Sequence, residues 1–287
     1  MRTTARFILI AAITAGILGG ASLAGHAMPF QWDTDHDGVL AKAKEENKPV
    51  IMYFFYPANL KRDREVLQHP HITRYGDDFL GVMINIELFS EIASQYNLNV
   101  FPAVLFFDPK GNELITKRYE DTQLNRKDLA QRMKNVLESI DEFALLDANF
   151  EQFKDSPNYR FRYAVGLLDR AEFDRAEDLF MSVIEDDQAS SNLVRRARNA
   201  HQKLMILRAT WDFYAERFDS SIDTLQRFLS LYDDDEEAKN HIEFLLGIAY
   251  YEAGDQQNGL KLLKRLAGDR SAGIFREKAR RYLDRNQ

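Results

Sequence analysis

The chain has 287 residues, with 38 Lys and Arg against 45 Asp and Glu, a net charge of −7 and no cysteine. An acidic balance argues against binding a phosphate backbone, which needs a basic footprint, and the missing cysteines exclude disulfide staples and thiol–disulfide chemistry. The residues are 45% hydrophobic, including 20 Phe and 12 Tyr, so apolar cores must hold the fold.

Residues 1–27 read as a cleavable export signal. Arg2 and Arg6 precede an apolar stretch over 7–18, and small residues follow, with Ser22-Leu23-Ala24 and Gly25-His26-Ala27 as alternative cleavage tripeptides. An uncleaved anchor is the other reading, weakened by Gly16, Gly19 and Gly20. No cysteine follows to carry a lipid, and no later apolar run reaches spanning length. The remainder is expected to be a soluble, exported, periplasmic protein long enough for two domains.

Asp33-Thr34-Asp35-His36-Asp37-Gly38 opens like a calcium loop, with Asp33, Asp35 and Asp37 at its first, third and fifth positions. The twelfth position needs a bidentate Glu and holds Lys44. A turn and helix cap is the simpler expectation, leading into a helix with Val39, Leu40 and Ala43 on one face. Val50-Ile51-Met52-Tyr53-Phe54-Phe55 is an unbroken apolar run, which suits a strand buried on both faces. Next come a charged helix over 60–67, a second buried strand over 79–86, a short helix over 88–96 and a third strand over 104–107. Pro109-Lys110-Gly111-Asn112 predicts a hairpin turn with a returning strand over 113–117. A closing amphipathic helix over 127–140 carries Leu129, Met133, Val136, Leu137 and Ile140 on one side. This order describes a small α/β layer fold. His69-Pro70-His71 is a close histidine pair, but two ligands do not make a metal site, and a surface loop is expected. No Ser-His-Asp spacing, glycine-rich phosphate loop or His-Glu-x-x-His motif occurs, so no catalytic residue and no cofactor is assigned.

Three stretches carry a resemblance: Lys48-Pro49-Val50 running into the apolar strand, Tyr96-Asn97-Leu98-Asn99-Val100-Phe101-Pro102, and Phe106-Phe107-Asp108-Pro109-Lys110-Gly111. They make residues 28–142 resemble the thioredoxin superfamily, nearest to periplasmic domains related to the disulfide reductases of Gram-negative bacteria. The resemblance implies a cis Pro102 facing the start of the first long helix. The family carries two cysteines there, followed by lysine. The lysine matches Lys61, so Pro57-Ala58-Asn59-Leu60 stands where the dithiol would be. The implied domain is redox-inactive. The family's peptide-holding surface would here be an apolar face of Tyr56, Pro57, Asn59, Leu60, Phe101 and Pro102, either open to a partner or covered by the rest of the chain.

From about residue 143 the strand signal stops. Residues 143–158 read as a linker, in which 150–158, with Lys154-Asp155-Ser156-Pro157, is a linker or a helix-breaking turn, and residues 159–287 are helical in period and self-similar. Each block is a helix, a short turn and a second helix opening on a small residue: Ala176, Ser221 or Gly259. With Leu246-Gly247-x-x-Tyr250 and the turn at Gly254, this resembles the tetratricopeptide repeat. The anchors lie 45 and 38 residues apart, against a family period of about 34. An insertion is therefore expected over 186–193, and a closing helix over 271–283. The resemblance implies a groove lined by Phe161, Val165 and Leu168 in the first unit and by His241, Phe244, Ile248 and Tyr251 in the last. The alternative is that these side chains pack between helices or against the first domain. The acidic run over 233–237 is expected to cap and solvate a helix start.

The expected architecture is an α/β thioredoxin-like domain followed by an all-α tetratricopeptide-like helical repeat domain. The expected function is a non-catalytic, periplasmic protein-binding adaptor, whether assembly factor, holdase or accessory subunit, with a protein or peptide partner in the cell envelope. The alternatives are an enzyme using side chains between the domains and a calcium-linked structural protein.

Overall fold

A computed structural model describes residues 30–232 and 236–286. The expected export signal and most of the acidic run at 233–237 lie outside the described residues.

One mixed sheet holds β1 (Trp32–Asp33), β2 (Val50–Phe55), β3 (Leu80–Asn85), β4 (Ala103–Phe107) and β5 (Tyr119–Glu120) in the order β1-β3-β2-β4-β5. β2 and β3 run parallel, from Val50 opposite Leu80 to Phe55 opposite Asn85. β4 returns antiparallel to β2, with Val50 opposite Phe107. The apolar run of β2 is central and covered on both sides, which is why it needs no polar face. Its alternate residues divide between two cores. Ile51, Tyr53 and Phe55 meet α2 (Pro57–Leu67), α3 (Pro70–Thr73) and α5 (Arg126–Ala148) through Leu67, Ile72, Leu129 and Met133. Val50, Met52 and Phe54 meet α1 (His36–Glu46) and α4 (Ser90–Gln95) through Val39, Ala43 and Ala93.

Two local expectations are corrected. Residues 113–117 do not form the returning strand. Glu113 makes one bridge to Phe107, a 3-10 turn follows at Ile115–Lys117, and pairing resumes only at β5. Leu114 and Ile115 are adjacent and both buried, which a tight turn at the sheet edge achieves more readily than an edge strand with alternating faces. Residues 143–158 are helical rather than a linker, apart from the helix-breaking turn at 154–156 before Pro157. α5, capped by Asn125 accepting from the amides of Lys127 and Asp128, runs on to Ala148, and α6 (Phe150–Phe153) follows. Phe143, Leu146 and Phe150 prolong the helical apolar spacing. Leu146 is buried in a separate core shared with the helices that follow, and Phe143 stacks on Tyr163 at 5.4 Å.

The rest is all helix: α7 (Pro157–Asp169), α8 (Phe173–Ile184), α9 (Ser191–Tyr214), α10 (Phe218–Leu231), α11 (Glu236–Glu252), α12 (Gln256–Gly268) and α13 (Ile274–Arg285). Each packs on the next, giving three helix–turn–helix units and a closing helix. The small anchors Ala176, Ser221 and Gly259 are all buried where paired helices touch. Ser221 Oγ donates to the carbonyl of Ala209 at 2.8 Å. The extra length expected over 186–193 sits mainly in α9, which has 24 residues against 17 in α11. The hairpin after β4 clasps the helical array: Arg170, the C-cap of α7, reaches Asp108 Oδ2 at 3.2 Å, and Lys117 reaches Asp169 at 3.2 Å.

Candidate functional site

The carboxyl ends of β2 and β3 and the amino ends of α2 and β4 meet at one edge of the sheet. Tyr56 leaves β2 and serves as N-cap of α2 without a side-chain cap; Pro57 fills the first helical position, where its missing N–H costs nothing. Asp63, buried one turn beyond Asn59, pins α2 to the sheet by accepting from Tyr53 OH at 2.7 Å and from Arg62 Nε at 3.1 Å. Burial and that carboxylate push the Tyr53 phenol far above its ordinary range.

Facing α2, the Phe101–Pro102 peptide bond is cis. The Tyr56 and Phe101 rings meet edge to face at 5.6 Å. Leu60 packs into the core below. Among the described residues, the backbone groups of Val100 and Phe101 have no hydrogen-bond partner. The Ile86 amide continues the β3 pairing to the Phe55 carbonyl at 3.1 Å, which brings Leu88 and Phe89 to the same edge. Leu88 is 69% exposed and Tyr56 43%, and Phe89 and Val100 are exposed too. Ten large apolar side chains are exposed in the described structure, and these four gather here.

The parallel β1-β3-β2 half joined antiparallel to β4-β5, with helices on both faces, decides the fold. The first half of the chain is thioredoxin-like. The first turn of α2 holds Pro57, Ala58, Asn59 and Leu60, none of which ionises or attacks a disulfide. Among solved structures, the thioredoxin-like part is similar to a thioredoxin from Thermus thermophilus, at 20% identity over 39% of this chain and 91% of that one, with a TM-score of 0.35. It is also similar to a DsbH oxidoreductase, at 18% identity over 42% of this chain and 95% of that one, with a TM-score of 0.33. No family model and no curated protein matches the chain.

The groove positions are spread over several environments. Phe161 and Leu168 are buried, and Phe161 lies under the Arg196 guanidinium at 4.7 Å. Val165 is exposed at the rim of a cleft of about 300 Å³ between α5 and α7. In the last unit α13 covers much of the face: His241 stacks on Phe275 at 4.9 Å, and Tyr251 meets Tyr282 at 5.8 Å. Phe244 and Ile248 line an apolar cavity of about 250 Å³ with Phe213, Tyr214 and Leu225.

The aspartates near the amino end cap turns. Asp33 accepts from the Asp35 amide at 3.0 Å, Asp35 from the Gly38 amide at 3.0 Å, and Asp37 lies 2.9 Å from His36. Among the described residues no three His, Cys, Asp or Glu side chains converge as metal ligands. His69 caps α3 and accepts from the His71 amide at 3.2 Å. The sequence reading missed Leu88, Phe89 and Val100 at the site. Leu88 and Phe89 fall within the helix expected over 88–96, but that helix starts only at Ser90, which leaves both side chains before it.

Proposed function

We propose that the protein is a non-catalytic, redox-inactive, protein-binding adaptor of a bacterial periplasm, and that the thioredoxin-like edge holds its partner. The observation that carries this reading is the coincidence of exposed Tyr56, Leu88, Phe89 and Val100 with the unpaired backbone of Val100 and Phe101. An extended peptide can pair with such a backbone while its side chains bury the apolar rim. The dithiol position supplies shape and no reactive group. The export signal read over residues 1–27 supports the compartment.

Mild crosslinking in the native envelope, followed by purification and mass spectrometry, tests it with Tyr56→Asp and Leu88→Asp. Both side chains are exposed, so the variants are expected to fold. A partner recovered with the parent chain and reduced at least about ten-fold in both variants is the expected result. Recovery of no partner above background overturns the adaptor reading, and undiminished recovery with both variants overturns the face.

A further inference from the structure

Charge is unevenly spread along the chain. Residues 255–287 hold nine Lys and Arg against four Asp and Glu, in a protein of net charge −7. Arg265 pairs with Glu243, and Arg280 with Glu277 at 3.4 Å. Among the described residues Lys261, Lys264, Arg270, Arg281 and Arg285 make no ion pair. Along α13, Ile274, Lys278, Arg281 and Arg285 recur at intervals of four, three and four residues, which puts them in one stripe. That stripe is turned away from Phe275, Ala279 and Leu283, which bury the helix against α11 and α12. All four side chains are exposed, Ile274 at 63%. The aliphatic stem of Lys278 crosses Phe275, its ammonium 5.0 Å from the ring centre.

None of the cavities described above is lined by this stripe. A row of three exposed cations on the outer face of α13, headed by one bare apolar side chain, matches a broad anionic surface better than a segment held in a groove. We infer that α13, reinforced by Lys261 and Lys264, rests on a bilayer rich in anionic phospholipid, with Ile274 dipping among the headgroups. No helix among the described residues is long and apolar enough to cross a membrane, so the contact is peripheral. Each cation near such a surface raises partitioning about five-fold. The rest of the chain is acidic and is repelled by the same surface, so contact is confined to the closing helix and its neighbours.

Co-sedimentation of the full chain tests this, using vesicles of an equal mixture of phosphatidylglycerol and phosphatidylcholine beside vesicles of phosphatidylcholine alone. Binding is expected to the mixed vesicles only and to weaken as salt is raised. The triple variant Lys278→Glu, Arg281→Glu, Arg285→Glu should lose on the order of 10,000-fold in partitioning, which leaves no detectable binding. The matching triple change to Gln controls for folding and should lose on the order of 100-fold. Equal binding to neutral vesicles, or unchanged binding by both triple variants, overturns the proposal and assigns attachment to another segment. Retention on a polyglutamate resin without vesicle binding also overturns it, in favour of an acidic protein partner.

Discussion

Glu177 of α8 is held by side chains that arrive from other elements. Buried His201 of α9 receives Tyr232 OH on Nδ1 at 2.5 Å, which leaves Nε2–H to donate to Glu177 at 3.3 Å. Arg227 of α10 pairs with the same carboxylate, and Arg208 reaches it at 3.3 Å. The His201 hydrogen bond, followed by Arg227, outweighs burial and lowers the carboxyl to about 2 from 4.5. A carboxyl depressed in the folded state stabilises fully above its unfolded value, and that contribution fades as pH falls from 4.5 through about 2. Urea unfolding should therefore show Glu177→Gln less stable at pH 7 by about 2 kcal/mol, less than the full shift would give because solvent screens the partly exposed carboxylate. The deficit should shrink towards pH 2, and a pH-independent deficit would contradict the assignment. No sequence pattern announces this network, because its members sit 24 and 31 residues apart. Pro57 to Leu60 and Pro102 were legible because they fall in one recognisable stretch each. Leu88 and Phe89 were not, because apolar side chains are expected inside and only the packed fold shows which remain out.

Elements with strong periodicity match their sequence signals. β2 follows from an unbroken apolar run, and the turn before α12 from Gly254 at φ 91°. The paired helices follow from their small anchors. Gly259 shows why: a Cβ there would lie 2.8 Å from the Gly247 carbonyl oxygen and 2.8 Å from the Tyr251 amide nitrogen, and neither backbone atom can swing aside. Gly259→Ala should cost about 1–3 kcal/mol despite alanine's better helix propensity. Gly268→Ala, with no neighbour within 4 Å of the added carbon, should leave the melting temperature unchanged or raise it. Equal effects from the two substitutions would show that the contact does not matter. Elements at the ends of patterns were less legible. β5 begins beyond its expected place because consecutive buried residues interrupt strand alternation, and α5 overruns its own because Leu146 finds its core in the helical half.

At the scale of the molecule, the two halves share a buried polar clasp. Asp108 accepts from the amides of Lys110 and Asn112 at 2.9 Å each, shaping the hairpin, and also receives Arg170. Arg170 lies against the Phe143 ring at 3.7 Å and donates to the Gly166 carbonyl at 2.9 Å. Removing one partner of a buried pair strands the other, so Arg170→Ala should cost about 3–5 kcal/mol. Calorimetry should then resolve two unfolding transitions in the variant where the parent shows one; a single unshifted transition would mean that the clasp does not couple the halves. The chain by itself determined that no thiol chemistry occurs, that an α/β layer precedes paired helices, and that small residues mark the helix contacts, because composition, periodicity and short motifs are local. Only the tertiary structure decided that Asp108 and Arg170 meet across 62 positions, that α13 covers much of the last unit's expected groove, and that Tyr56, Leu88, Phe89 and Val100 stay exposed together. Burial depends on what distant parts of the chain bring alongside, and no local pattern contains that information.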